Sequence, residues 1–420
     1  MKSLWAAALL SVTLAVFAIH TGDAWEPEDA MQRAMAILRT APIVDAHNDL
    51  PWVIREKANG DIGQYDLSVR REHDTDIPRL REGMVGTQVW SAWVPSALSP
   101  LEAMRQQLEQ LDLIRRMISA YPDDFGFAVS TADIERERKQ GRIASLIGLE
   151  GAHSMGNSLG ALRAYYDLGA RYMTLTHFHT TDWADSATGE ARHDGITEFG
   201  EEVIREMNRL GMMVDISHVS DAAMSDVLQI TEAPVIFSHS AARTLTGHVR
   251  NVPDDILERV RENGGIVMVP FIPAFLSEPI NVWEKDLFPL LKEAKNDTEW
   301  QRITKQYRID HGQPPLATLN DVADHIDHIR KVAGRDHVGI GADFYGTEVD
   351  YELVQGLEDV SKYPALFAEL VRRGWSNEDL KKLARDNFLR VFREVEQVAA
   401  RARLSRPSSL ATIEEPDGQP

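Results

Sequence analysis

Seven side chains able to bind metal or carry a proton stand at, or just past, the ends of short apolar runs in this chain. Ala41-Pro42-Ile43-Val44 leads into Asp45-Ala46-His47-Asn48-Asp49, and Ile143 to Leu149 runs to Glu150. Tyr172 to Thr176 ends at His177, Met212 to Ser217 at His218, and Pro234 to Ser238 at His239. His337 to Ala342 ends at Asp343. Four His, two Asp and one Glu without any cysteine form a nitrogen and oxygen donor set, which suits Zn²⁺ better than Mn²⁺, Co²⁺ or Fe²⁺. His47-x-Asp49 puts two donors on one side of an extended segment. A carboxylate at Glu150 can bridge two ions through its two oxygens, and His218 with His239 suit the second. In such a centre the ions sit roughly 3.5–4 Å apart and share an activated water. A lone His at a strand end is more often a hydrogen-bonded core residue. The joint pattern at one end of several strands is what favours a metal site.

Those donors need a scaffold that gathers strand ends. Gly265-Ile266-Val267-Met268-Val269, ending at Pro270-Phe271, and Val85 to Trp90 complete eight candidate strands. Helical periods alternate with them, as in 100–121, 159–168, 198–210, 222–230 and 253–263. Ser99-Pro100 reads as a helix start and Asn208-Arg209-Leu210-Gly211 as a stop. The pattern predicts an α/β fold: a distorted (β/α)8 TIM-type barrel with its site at the strand C-termini. One crossover, 274–336 between the seventh and eighth of these strands, is oversized and reads as an insertion able to serve as a lid or an oligomer contact.

The chain has 420 residues, 43% of them hydrophobic, and a net charge of −20, which argues against nucleic acid or an anionic membrane surface as partner. Lys2, the apolar stretch from Leu4 to Ile19 and Gly22-Asp23-Ala24 read as an export signal cleaved before Trp25. The expected organisation is a signal peptide over 1–24, one metal-dependent barrel domain over 25–403 and a disordered tail over 404–420. The expected location is periplasmic or secreted, with no stable membrane anchor after cleavage. Without cysteine no disulfide can form. Three other patterns carry less. Gly156-Asn157-Ser158-Leu159-Gly160 fits a nucleophile elbow but lacks the preceding strand. His325 and His328 sit three apart on a helix and could face one ion, but no carboxylate partner is placed on the barrel face, and Glu82-Gly83 reads as a turn.

At these residues the sequence resembles the membrane (renal) dipeptidase family, zinc dipeptidases of the amidohydrolase-like barrel type. The resemblance runs over roughly 30–395. It is carried by Val44 to Pro51, Gly148-Leu149-Glu150-Gly151, Tyr172 to Asp185, Asp215-Ile216-Ser217-His218, Ser238-His239-Ser240, Arg250 to Asp255, Gly339 to Phe344 and Leu357 to Pro364. It implies two Zn²⁺ per chain, one on His47 and Asp49, the other on His218 and His239, with Glu150 bridging. It further implies that His177 contacts the scissile carbonyl oxygen, that Arg250 binds the substrate's terminal carboxylate and that Asp343 shuttles the proton. The substrate would be a dipeptide, L,D-dipeptides among them, and a homodimer stays open. Where relatives usually carry Asn, strand seven has Val269-Pro270-Phe271, and Tyr345 stands where a second Asp is common. These differences bear on substrate preference. The rival reading is a related metal hydrolase acting on other carboxylate-bearing amides, such as N-acyl amino acids or β-lactams.

Overall fold

The computed structural model describes residues 27–70, 74–291, 297–345 and 353–413. The leader-like segment 1–24 lies outside them. Among the described residues nine strands form: β1 (Ile43–Asn48), β2 (Val85–Trp93), β3 (Phe125–Phe127), β4 (Ile143–Glu150), β5 (Ala170–Thr174), β6 (Met213–Asp215), β7 (Ile236–Phe237), β8 (Ile266–Val269) and β9 (Val338–Ile340). All pairings among them are parallel, in the order β2-β1-β9-β8-β7-β6-β5-β4, and β4 pairs back onto β2 over Thr87–Trp93, which closes an eight-stranded barrel. The eight strands anticipated from the sequence are all present. The ninth, β3, lies along the lower part of β4 (Phe125 beside Ile143). Three residues are too few to show a period.

Alternation along the strands builds two cores. Val44, Ala46, Val89, Ala144, Leu146, Tyr172, Met213, Ile236, Ile266 and Met268 form one cluster, joined by Phe388 and Phe392 of the last helix, Asn387–Ser405. Residues of the opposite parity, such as Ile147, Leu149, Met173, Val267 and Val269, pack with the surrounding helices. At the top of the barrel the inward parity passes from apolar to functional side chains, as in Leu146, Gly148 and Glu150.

The helices begin and end where their caps dictate. Thr197 accepts from Gly200 N at the start of Glu198–Leu210, and Gly211 ends it with φ 89°, a left-handed turn that glycine adopts without cost. Ser158 does not sit on an elbow. It caps Leu159–Asp167 by accepting from Ala161 N, and the stretch before it is a short 3-10 helix, Ala152–Met155. Between β8 and β9 run the helices Pro273–Leu276, Glu278–Glu284, Phe288–Leu291, Asp297–His311 and Leu319–Val332. The segment expected to be a disordered tail has contacts in its described part. Ser409 Oγ donates to Glu202 at 2.8 Å, and the Arg406 guanidinium reaches Arg205 O at 3.0 Å. Among the described residues no helix is long and apolar enough to cross a membrane.

Candidate metal centre

The barrel brings seven of the eight anticipated site residues into one buried cluster. Glu150, closing β4, stands at its middle. Its Oε2 lies 3.3 Å from His47 Nε2, while its Oε1 lies 3.0 Å from His218 Nε2, 3.4 Å from His239 Nε2 and 3.7 Å from His177 Nε2. His47 Nε2 also faces Asp49 Oδ2 at 3.4 Å and Asp343 Oδ1 at 3.7 Å. Three overlapping groups of donors result: His47, Glu150 and His239; Glu150, His177 and His218; His47, Asp49 and Asp343. Arg250, the eighth, sits beside them, with its Nη2 donating to His239 O at 3.2 Å.

Asp49 reaches the cluster by a route other than strand alternation. β1 shifts register between Asp45 and Asn48 and stops there, and Asp49 is the N-cap residue of the helix Leu50–Ala58. Two other site residues hold unusual backbone. His218 has φ 71° and Asp343 φ 62°, a left-handed region costly for residues with a Cβ. Neighbouring backbone holds both: Ala187 N, in the loop after β5, donates to His218 O at 2.7 Å, and Asp343 N donates to His47 O of β1 at 3.1 Å.

The outer partners orient the rings. Tyr172 reaches across the barrel from β5, and its hydroxyl lies 2.8 Å from His47 Nδ1 and 3.1 Å from Ala46 O. One hydroxyl proton serves the carbonyl, so His47 must offer Nδ1–H to the tyrosine oxygen. The Nε2 lone pair is then the one turned to the carboxylates. Ser238 Oγ engages His239 Nδ1 at 2.8 Å and turns that Nε2 inward in the same way. Two buried aspartates pin the strand ends. Asp45 accepts from Ala342 N and Gln88 Nε2 and from the Tyr363 hydroxyl, while Asp215 accepts from Ser217 N and Ser238 N. Sequence reasoning missed Tyr172, Ser238, Asp45 and Asp215 as supports. The available signal was a lone polar group inside each apolar run.

This donor set fits a cation. His218 Nε2 and His239 Nε2 face each other at 2.8 Å, with Glu150 Oε1 close to both. Burial, then the Arg250 charge and the neighbouring imidazoles, holds the pKa of His218 well below its usual value; for His239, burial, His47 and Arg250 do the same. Neutral imidazoles beside a carboxylate present lone pairs to one another, and such an arrangement is repulsive until a positive charge sits among them. His47 Nε2 and Asp49 Oδ1 are buried without a hydrogen bond. At His47 burial lowers the pKa, but Tyr172, Glu150 and Asp49 outweigh it and raise it well above the ordinary value. A proton and an ion therefore compete for that nitrogen, and ion affinity falls as pH falls. Asp343 is pushed well above the usual carboxylate range by burial, with Asp49 and Glu150 adding to it against His47.

Gly148 illustrates how closely the support is packed. A Cβ there would lie 2.0 Å from the Tyr172 ring. Gly148→Ala is expected to cost about 1–3 kcal/mol of stability through overpacking. It should also weaken ion binding, because a displaced Tyr172 releases His47. Thermal unfolding and metal titration of the variant check both effects.

The other candidates fall elsewhere. His325 is buried against Ala242 N and Leu276 O, and His328 pairs with Asp254 at 2.8 Å. His179 Nδ1 meets Ser96 Oγ at 2.7 Å instead of joining the cluster.

Comparison with known proteins agrees with this geometry. The family model of the membrane dipeptidases, peptidase family M19, matches residues 31–406. Dipeptidase 3 of Rattus norvegicus is 43% identical over 372 residues, which cover 87% of this chain and 68% of that protein. Among solved structures, the probable dipeptidase PvdM of Pseudomonas aeruginosa superposes with a TM-score of 0.77 at 24% identity, over 89% of this chain and all of that one. A metallo peptidase from Rhodobacter sphaeroides, liganded with a phosphinate mimic of the dipeptide L-Ala-D-Ala, gives 0.69 at 24% identity over 84% and 99%. With a barrel, a cluster of buried metal donors at its strand ends and a family match spanning nearly all of its length, the chain belongs to the membrane dipeptidase family of metallopeptidases.

Proposed function

We propose that this metallo-dipeptidase holds two zinc ions and hydrolyses dipeptides, L,D-dipeptides included. The observation that carries the reading is the division of labour at Glu150: one oxygen faces His47, and the other faces His218 and His239. His47 and Asp49 would hold one ion and His218 and His239 the other, with Glu150 common to both. Bound there, zinc supplies Lewis acidity and a water that ionises near neutral pH.

The chain's own residues do the remaining work. Arg250 is fully buried and its Nε lacks a partner. Burial lowers its pKa to about 10 against the pull of Asp343, Glu150 and Asp215, so it stays cationic at neutral pH. A buried, incompletely paired guanidinium is a receptor for a carboxylate. It would fix the free C-terminus of the substrate and put the single peptide bond over the cluster. His177, with Nε2 near Glu150 Oε1, stands where it can donate a hydrogen bond to the oxygen of the attacked carbonyl. Asp343 would take the proton of the attacking water and return it to the leaving amine.

Arg250→Ala tests the carboxylate contact. The variant is expected to lose about 2–5 kcal/mol of binding to substrates with a free C-terminal carboxylate, the cost of truncating one side of a buried charge pair. The loss should appear chiefly in KM. Steady-state kinetics on matched free and amidated dipeptides measure it, and an equal loss on both would remove the role. We also infer export, from the apolar leader-like sequence between Lys2 and Ala24; N-terminal sequencing of the mature protein tests it.

A further inference from the structure

The membrane-dipeptidase reading sets where a substrate's terminal carboxylate goes, and the barrel then dictates what meets its other end. Arg250 follows β7, where it touches His239 O. Around the closed barrel, β2 lies opposite β7, reached through β1, β9 and β8 one way and β4, β5 and β6 the other. A dipeptide spans about 7 Å when extended. With its carboxylate on the β7 side, its first residue crosses the ion cluster toward the end of β2.

That end is aromatic. Trp93 is the last residue of β2 and is in register with Glu150 of β4. Registered neighbours on parallel strands project to the same face, so Trp93 looks into the same space as Glu150. Ser91, two residues earlier, shows the direction by donating to Glu150 Oε2 at 3.1 Å. The Trp93 ring packs 5.6 Å from the His177 ring, centre to centre. Trp52, on the first turn of the helix that starts after Asp49, meets Trp93 edge-on at 4.5 Å. Both indoles are half-buried, and neither Nε1 has a partner. The wall is therefore aromatic and continuous with the cluster through the Trp93–His177 contact.

We propose that Trp93, backed by Trp52, forms the subsite for the side chain of the substrate's first residue and selects dipeptides in which that side chain is large and apolar. The inference rests on the dipeptidase function proposed above. One methylene in an apolar pocket is worth about 10–200-fold in discrimination, so an aromatic first residue should gain about tenfold or more in kcat/KM over alanine.

The test uses the zinc-loaded protein and four substrates: Phe-Ala, Leu-Ala, Ala-Ala and Ala-Phe. The wild type is expected to prefer Phe-Ala to Ala-Ala by about tenfold or more. In Trp93→Ala that ratio should collapse toward one, while the ratio of Ala-Phe to Ala-Ala holds, and Trp93→Phe should keep most of the preference. An unchanged Phe-Ala ratio in Trp93→Ala overturns the proposal. So does a collapse confined to Ala-Phe, which would mean that the substrate lies the other way round. If Trp93→Ala does not fold, Trp93→Phe and Trp52→Leu decide: Trp52→Leu should lower the ratio, and no change in it counts against the subsite. If the wild type cleaves none of the four, the dipeptidase function falls and the subsite with it. If it cleaves all four equally, only the subsite falls.

Discussion

Asp343→Asn is expected to keep its metal and lose turnover by about 10²–10⁴-fold, the usual contribution of a positioned proton carrier. The amide preserves the shape of the carboxyl, and the backbone bond from Asp343 N to His47 O is untouched. It cannot, however, accept a proton from water and hand it to the departing amine. Asp343 suits that task by location: 3.7 Å from His47 Nε2, buried, and held in a left-handed conformation at the end of β9. Among L-residues, aspartate and asparagine tolerate such backbone best, so the substitution separates chemistry from folding. Single-turnover kinetics with metal analysis distinguish the cases. Turnover near wild type would remove Asp343 as proton carrier, and lost metal would make it a ligand instead.

Glu150→Gln should act on the ions first. As the proposed bridging ligand, Glu150 would supply negative charge to both donor groups, whereas a neutral amide supplies one oxygen and an NH₂ that repels a cation. Loss of a supporting partner outside the ligand set already costs about 10–100-fold in metal affinity, so losing the shared ligand should exceed that. Activity should fall with it at substoichiometric zinc and recover only in part with excess. Calorimetric zinc titration reads the affinity. Binding of two ions with unchanged affinity would contradict the bridging role.

Much of this site was legible because its residues are chemically conspicuous. His and carboxylates at the ends of apolar runs point to a gathered face, and the parallel barrel is the fold that gathers it. Less legible was everything that depends on distance across the barrel. Tyr172 reads as one more aromatic in a strand, and its hold on His47 exists only because β5 lies across from β1 and Gly148 leaves room for the ring. Ser238 and Asp215 are ordinary polar residues until a neighbouring strand brings them a partner. Alternation along an extended segment anticipated Asp49 beside His47, whereas in the structure a register shift and a helix start deliver it to the cluster. β3 was too short for any period, and the contacts of Ser409 depend on a helix two hundred residues earlier in the chain.

Zinc titration of metal-stripped mature protein, read by hydrolysis of L,L- and L,D-dipeptides, tests the central claim most directly. The account predicts no cleavage without metal and full activity as two equivalents bind. It also predicts activity on dipeptides and none on N-blocked or longer peptides. Undiminished cleavage by the stripped protein, activity complete at one equivalent, or equal activity on N-blocked amides would contradict it.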